Sequence, residues 1–552
     1  MTMGSTAPVE ESGATADMVS DLVHRAKALL AELEMYRARL KSLRKEAGVE
    51  VNHFQGTVQS ELKMLERLGE KPIEEQTTGH VARSSNLPYL ETLWATAKRS
   101  KDITALQKRV FVAPTLKARS QGMRLVEPMD GTKNSRGSAA SSVVVDLISD
   151  SGRTWHKISL VTNSRLLFDL AKQGWDSGGS DEEDSDRPPL PDDDDHRDVP
   201  LLMSAKQLTT SAAHFRVRTR APAVHMILPR VVRGETPEVD AILDGCRAAG
   251  AVLICGKPES AVPAIEKAIH SMATDPLLSF SDTLNVDCTI LLALVSEFSH
   301  AKVSKQPWFH NALKRQVEIE DNEQLLPSLL YPAMASRKLV CTKEAAQRTR
   351  EIVDTIGTPS EKARTALLLG DDPAKSQQDL VSEMQEWSYY DVPTHWQLPI
   401  KVVDQNEDDC QSKLPVEVGQ VARGMTAINS SVFLYGWASG STTITSNRTV
   451  VKQLESDLEQ FDDLDDGVWP SIWLCPTARS LVGKEKRGPK KAADADDATG
   501  TAWPLPDPLR REQQRRHGLD VLSQREGRTV EDLRPNGYPC DEVLAAKNAS
   551  QR

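Results

Sequence analysis

The stretch TLNVDCTILLALVSEF, Thr283–Phe298, sets one acid between two apolar runs. The first run is short and strand-like; the second, led by Thr289, is helix-like. Asp287 at the junction has two readings. As an N-cap it accepts an orphan amide and contributes about 1 kcal/mol. At the carboxyl end of a strand in an open α/β sheet it lies where ligands gather, and there a carboxylate can hold a hard divalent cation.

Working outward, residues 281–483 continue an α/β pattern. KLVCT (Lys338–Thr342) enters the helix KEAAQRTREIVDTIG (Lys343–Gly357), and PSEKARTALLLG (Pro359–Gly370) forms another. SVFLYGW (Ser431–Trp437) and STTITS (Ser441–Ser446) read as strands; RTVVKQLESDLEQF reads as a helix, and SIWLC (Ser471–Cys475) as a last strand. Strands alternating with helices imply a mainly parallel sheet between helical layers. Upstream, APAVHMIL (Ala221–Leu228), PEVDAILDGCRAAG (Pro237–Gly250) and AVLIC (Ala251–Cys255) spell strand, helix, strand. This βαβ unit lacks GxGxxG, and no GxxxxGK[ST] occurs anywhere, so dinucleotide and P-loop sites are excluded on those grounds.

The N-terminal third reads differently. Between Asp17 and Glu46, Val19, Leu22, Val23, Ala26, Leu30, Leu33, Leu40 and Leu43 recur mostly at helical steps. A second helix from Phe54 to Leu68 carries Val58, Leu62, Leu65 and Leu68 on one stripe, and the pair is expected as an antiparallel hairpin. The coiled-coil-like pattern stops after about four heptads, too short for a long coiled coil. Its apolar stripe serves either packing within the fold or docking of a protein partner. A third helix, Asn86–Lys101, has Leu90, Leu93, Trp94 and Ala97 as its apolar face. SVVVDLISDSGRTWHKISLV (Ser142–Val161) is broken by Asp150-Ser151-Gly152 and predicts a β-hairpin, followed by a short helix over 164–173. The preceding 131–142 reads as a loop insertion.

Charge is unevenly placed. Of the net −11, the run Asp176–Asp198 carries −9 through eleven acids and two arginines, leaving −2 for the rest. Such a run buries too little apolar surface to offset its ordering entropy and is expected to be a disordered insertion. Its Ser180 and Ser185 precede acids as an acidophilic kinase would require. The tail from 483 to 552 is charged and proline-bearing, with basic clusters at 484–491 and 510–517 that suit a nuclear address, a weak nucleic-acid contact or plain solvation.

With 39% hydrophobic residues the 552-residue chain can bury a real core, and its length allows two or more domains. No run reaches the roughly 18 to 20 apolar residues of a membrane span. The first residues lack a basic region followed by an apolar one, so no secretory signal is expected. Seven scattered cysteines without CxxC spacing fit a reducing compartment and argue against a disulfide framework or a zinc site. The expected location is cytoplasmic, nuclear or both, with no membrane partner. The expected layout is 1–16 disordered, 17–112 helical, 143–256 mixed α/β with the insertion at 176–198, 281–482 a further α/β domain, and 483–552 a disordered tail.

LNVDCTILLALV resembles the opening strand and helix of PIN-like domains, an apolar strand, an Asp, then a Thr leading an apolar helix. KLVCTKEAAQRTREIVDTIG is similar to their middle strand and helix, and TTITSNRTVV (Thr442–Val451) to their last motif. The chain also resembles a eukaryotic family of uncharacterised proteins carrying domain of unknown function 1308. The matching stretches are SSNLPYLETLWATA (Ser84–Ala97), VVVDLISDSGRTWHKI (Val143–Ile158), LNVDCTILLALVSEFSH, VDTIGTPSEKARTALLL and INSSVFLYG. The resemblance implies an α/β chain whose C-terminal PIN-like domain follows an N-terminal helical and mixed α+β region.

Active PIN-like domains are metal-dependent endoribonucleases in which three or four carboxylates hold Mg²⁺ or Mn²⁺, and single-stranded RNA is the implied substrate. Carried onto this chain, the first acid is Asp287, with Thr289 beside it. The second is Glu351 or Asp354, which share a helix face. The third should enter the SVFLYG strand, but INSS (Ile428–Ser431) has no carboxylate; the fourth position is Asn447. The implied metal ligands are thus Asp287, Asp354 and Asn447, and the implied catalytic acids Asp287, Glu351 and Asp354. With two of four charges missing, the expectation is a degenerate, non-catalytic binding or scaffold module with RNA or a protein as partner. The alternative is a divergent metal-dependent ribonuclease.

Overall fold

The structure, a computed structural model, describes residues 8–70, 80, 82–112, 141–176, 199–258, 260–461, 464–475 and 480–483. The first seven residues, nearly all of the 131–142 loop and of the acidic run, and the tail from 484 lie outside them. The chain divides into two compact units, an N-terminal one of residues 1–278 and 459–466 and a C-terminal one of 279–458 and 467–552.

In the N-terminal unit, α1 (Pro8–Ser42) begins upstream of the expected Asp17, and α2 (Asn52–Glu70) returns against it. Lys27 pairs with Glu66 at 2.9 Å and Gln55 donates to Glu34 at 2.7 Å, so the two helices run antiparallel. Val19, Leu22, Ala26, Leu29, Leu33, Tyr36 and Leu40 of α1 are all buried. They pack with α2 and with α3 (Leu87–Arg99), so the stripe is consumed within the unit.

β1 (Ala105–Val112), β2 (Ser141–Ser149) and β3 (Thr154–Ile158) form an antiparallel meander. The turn between β2 and β3 takes positive φ at Asp150, Ser151 and Gly152, the geometry a tight DSG turn demands. α4 (Asn163–Asp176) and α5 (Pro200–Ala212) lead to β4 (Ala223–Leu228); α6 (Pro237–Ala248) crosses to β5 (Ala251–Cys255), and α7 (Ile265–Met272) follows. β3, β4 and β5 are parallel, and the sheet order is β1-β2-β3-β4-β5. One face packs Val145, Trp155, Val224 and Met226 against α5 and α6; the other sets Leu147, Ile158 and Ile227 into the cluster with α1, α3 and α7.

In the C-terminal unit, β6 (Thr283–Val286) passes into α8 (Cys288–Val295), and β7 (Lys338–Thr342) into α9 (Lys343–Ile356). Further along lie α10 (Pro359–Leu369), β8 (Lys401–Val403), α11 (Ala427–Ala438), β9 (Thr442–Thr445), α12 (Arg448–Leu458) and β10 (Ile472–Leu474), with other helices between them. The sheet order is β10-β9-β6-β7-β8 and every pairing is parallel. A mixed α/β chain with an all-parallel C-terminal sheet is the expected class, and the arrangement fits a PIN-like fold. The core gathers Leu284 and Val286 of β6, Ile290 and Leu294 of α8, Leu339 and Cys341 of β7, and Ile444 of β9.

One expected strand is a helix. Residues 431–437 lie inside α11, whose Ser430, Val432, Phe433, Leu434, Gly436 and Trp437 are all buried. A short helix that is apolar nearly all round has no period to distinguish it from a buried strand. Gly436 is its contact point with the sheet: a Cβ there would overlap Thr443 Oγ1 and come within 2.9 Å of Asn285 Nδ2. No helix among the described residues is long and apolar enough to cross a membrane. None of the six described cysteines forms a disulfide.

Candidate functional site

β6 ends at Val286, and Asp287 takes the N-cap position of α8 in extended backbone. Its N–H donates to Ile444 O at 3.1 Å, carrying the β6–β9 pairing one residue further, while its carbonyl accepts from Ile290 N and Leu291 N at 2.9 and 3.0 Å. The backbone thus caps, but the side chain does not. Only 3% exposed, it turns to two threonines. Thr289 Oγ1 donates to Asp287 Oδ2 at 2.6 Å and Thr445 Oγ1 donates to the same oxygen at 2.7 Å. These lengths are those of charge-assisted hydroxyl–carboxylate bonds.

Each hydroxyl also accepts. Ser446 N donates to Thr289 Oγ1 and Asn447 N to Thr445 Oγ1, both at 3.0 Å. The result is a relay of amide, hydroxyl and carboxylate that ties the ends of β6 and β9 to the start of α8. The thiol of Cys288, next to Asp287, is pushed up to about 12, first by burial and then by the carboxylate's charge, with Arg348 acting in the opposite sense. It stays protonated at neutral pH and offers no nucleophile.

Asn447 joins the relay through its backbone. Its side chain is otherwise engaged: Oδ1 accepts from Val450 N at 3.3 Å, a cap on the first turn of α12. Glu351 and Asp354 lie on the exposed face of α9, whose buried face is Ala345, Ala346, Thr349 and Val353. Glu351 accepts from Gln347 Nε2 at 3.0 Å and Arg348 Nη1 at 3.3 Å, both on its own helix. Neither Glu351 nor Asp354 shares a hydrogen bond with Asp287. Thr445 was missed as a relay residue, although TTITSN held the signal: alternating hydroxyls at a strand end beside an expected carboxylate.

Where the third acid was expected, Ser430 donates to Glu407, and Ser431 Oγ lies 3.2 Å from Thr342 Oγ1. Among the described residues no group of three or more His, Cys, Asp or Glu side chains is arranged to hold a metal ion. A hard cation such as Mg²⁺ or Mn²⁺ needs several converging oxygens of high charge. The donor set around Asp287 is one carboxylate and two hydroxyls already committed to it, so the residues present do not fit such an ion.

A second polar assembly lies among the segments that follow α8. Arg364 of α10, 1% exposed, donates to Trp387 O at 2.9 Å, to Val295 O at 3.0 Å and to Glu297 Oε2 at 3.2 Å. Glu361, one turn earlier and fully buried, accepts from Thr358 N, Glu297 N and Val482 N at 2.9 to 3.2 Å. Burial raises its carboxyl, partly offset by those amides. His300 is also fully buried, with Ser388 Oγ at 3.0 Å from Nδ1 and Leu294 O at 2.6 Å from Nε2, and burial holds it well below the ordinary imidazole value. These groups point inward and are partnered, so the assembly acts as a staple.

The span 284–386, which holds Asp287 and Thr289 of the relay and Glu297, His300, Glu361 and Arg364 of the second assembly, matches a family model described as a protein of unknown function, DUF1308. The chain carries a DUF1308 domain. Two of the stretches that suggested the family are the ones that build the staple: Glu297 and His300 lie in LNVDCTILLALVSEFSH, and Glu361 and Arg364 in VDTIGTPSEKARTALLL. No solved structure matches the chain.

Proposed function

We propose that the unit carrying the DUF1308 domain is a PIN-like fold that does not cut, and that it works as a binding or scaffold module. One observation carries this reading: the first acid of the would-be site, Asp287, has one oxygen taken by two threonine hydroxyls that hold strand ends together. Catalysis of phosphodiester hydrolysis by metal ions needs carboxylates free to converge on the ion. Asn447 in the fourth position and the outward-facing Glu351 and Asp354 support the same conclusion.

The test is incubation of the full chain with single-stranded RNA and Mn²⁺ or Mg²⁺, beside Asp287→Asn. The expected result is no cleavage above that of the variant. Cleavage by the wild-type chain that disappears in Asp287→Asn would overturn the reading in favour of a divergent metal-dependent ribonuclease.

A further inference from the structure

The N-terminal sheet holds a pair of titratable rings outside the site described above. Cross-strand register aligns Leu106, Leu147, His156, His225 and Val252 in one row. The next row on the same face aligns Ile158, Ile227 and Ile254. Helical cover thins along both rows. Ile158 and Ile227 belong to the buried cluster with α3 and α7, whereas Val252 and Ile254 on the edge strand are 48% and 40% exposed. His156 is 7% exposed and His225 half-buried, so the pair sits at the boundary between core and solvent.

The two imidazoles meet edge to face, with centroids 5.4 Å apart and planes at 84°. Nε2 of His156 lies 2.8 Å from Ser149 Oγ, while its Nδ1 is buried and has no hydrogen-bond partner. A neutral ring tolerates that arrangement at modest cost. A protonated ring would carry a second N–H with nothing to receive it, in a low-dielectric site beside a second imidazole. The charged group acting on both rings is Asp150, in the turn between β2 and β3, and its carboxylate already accepts from Thr154 Oγ1 at 3.1 Å.

We propose that His156 and His225 form an acid-sensitive latch between β3 and β4: neutral, the pair holds the parallel ladder closed, and protonated, it lets this end of the ladder open. Protons enter from the β5 side, through His225. Burial lowers both rings, with His225 adding to the effect on His156, which is held at about 4. Between that value and the ordinary value of about 6.5 the unfolded or opened chain binds protons that the closed one does not, so closure weakens as pH falls.

The test is hydrogen exchange by mass spectrometry on the full chain between about pH 7.5 and about pH 5, with rates corrected for the intrinsic pH dependence. Peptides over 154–158 and 223–228 should lose about tenfold or more in protection in the wild type. In His225→Gln and in His156→Phe alike the loss should shrink severalfold. An equal loss in the wild type and both variants, or no loss in the wild type, overturns the proposal. Should His156→Phe not fold, a titration of the wild-type imidazole NMR signals decides. A His156 ring that stays neutral until the two strands lose protection supports the latch, and one that titrates at its ordinary value with the strands intact overturns it.

Discussion

Each unit buries a titratable side chain on a sheet strand or at its end, and the two are partnered in opposite ways. In the C-terminal unit, Asp287 accepts from Thr289 and Thr445, and those hydroxyls are themselves held by Ser446 N and Asn447 N. In the N-terminal unit, His156 has Ser149 on one nitrogen and nothing on the other. Burial alone therefore says little about reactivity. The partners decide whether a buried group is a fixed part of the frame or a point where a change of charge can move the fold.

The largest effect that sharpens this contrast should come from the staple. Arg364→Ala leaves the largely buried Glu297 carboxylate without its guanidinium partner, and the carbonyls of Val295 and Trp387 without their donor. Breaking a buried pair from one side costs about 3 to 5 kcal/mol, so denaturant unfolding of the C-terminal unit should shift by that order. A shift near zero would mean the Glu297 carboxyl was already neutral or solvated.

Gly436→Ala comes next. The added Cβ must displace Thr443 or Asn285 where α11 meets the sheet. Overpacking of this kind costs about 1 to 3 kcal/mol, and thermal unfolding should register it. Thr445→Val is expected in the same range, about 1 to 3 kcal/mol, because it removes one of the two hydroxyl donors of the Asp287 carboxylate and leaves Asn447 N without its acceptor. Asp287→Asn should cost less, about 1 kcal/mol, since a neutral carbonyl oxygen can still accept from both hydroxyls but without charge assistance.

The pH dependence of the C-terminal unit has a definite sign. His300 is held far below its ordinary value by burial, so the unfolded chain binds a proton below about pH 6.5 that the folded chain refuses. Stability contributed by the neutral ring is present above that pH and is lost as pH falls. Urea midpoints measured downward from neutrality should fall, and the fall should lessen in His300→Gln. The smallest effect belongs to the surface: Glu351→Gln removes an exposed acid paired only within its own helix and should stay within about 0.5 kcal/mol.

Much of the C-terminal fold could be read from the chain because its strands and helices differ in period: TLNV, KLVCT and TTIT are short and β-rich, and α8, α9 and α12 follow at once. What escaped was set by distance. The orientation of the Asp287 side chain depends on the nearby Thr289 and equally on Thr445, 158 residues away, and the local DCT pattern encodes only the first. Arg364 and Glu361 look like the polar face of an ordinary helix, yet the interior takes them because Glu297, Trp387 and Val482 arrive from elsewhere to partner them. α11 was misread because an all-apolar run gives no period, and β8 passed unnoticed because Lys401–Val403 is only three residues long.

The central claim is that Asp287 is a structural acceptor and not a metal ligand. Isothermal titration of the full chain with Mn²⁺, compared with Asp287→Asn, tests it most directly, because any weak binding by the acidic run is common to both proteins. The account predicts indistinguishable isotherms. A saturable site in the wild type that vanishes in Asp287→Asn would contradict it.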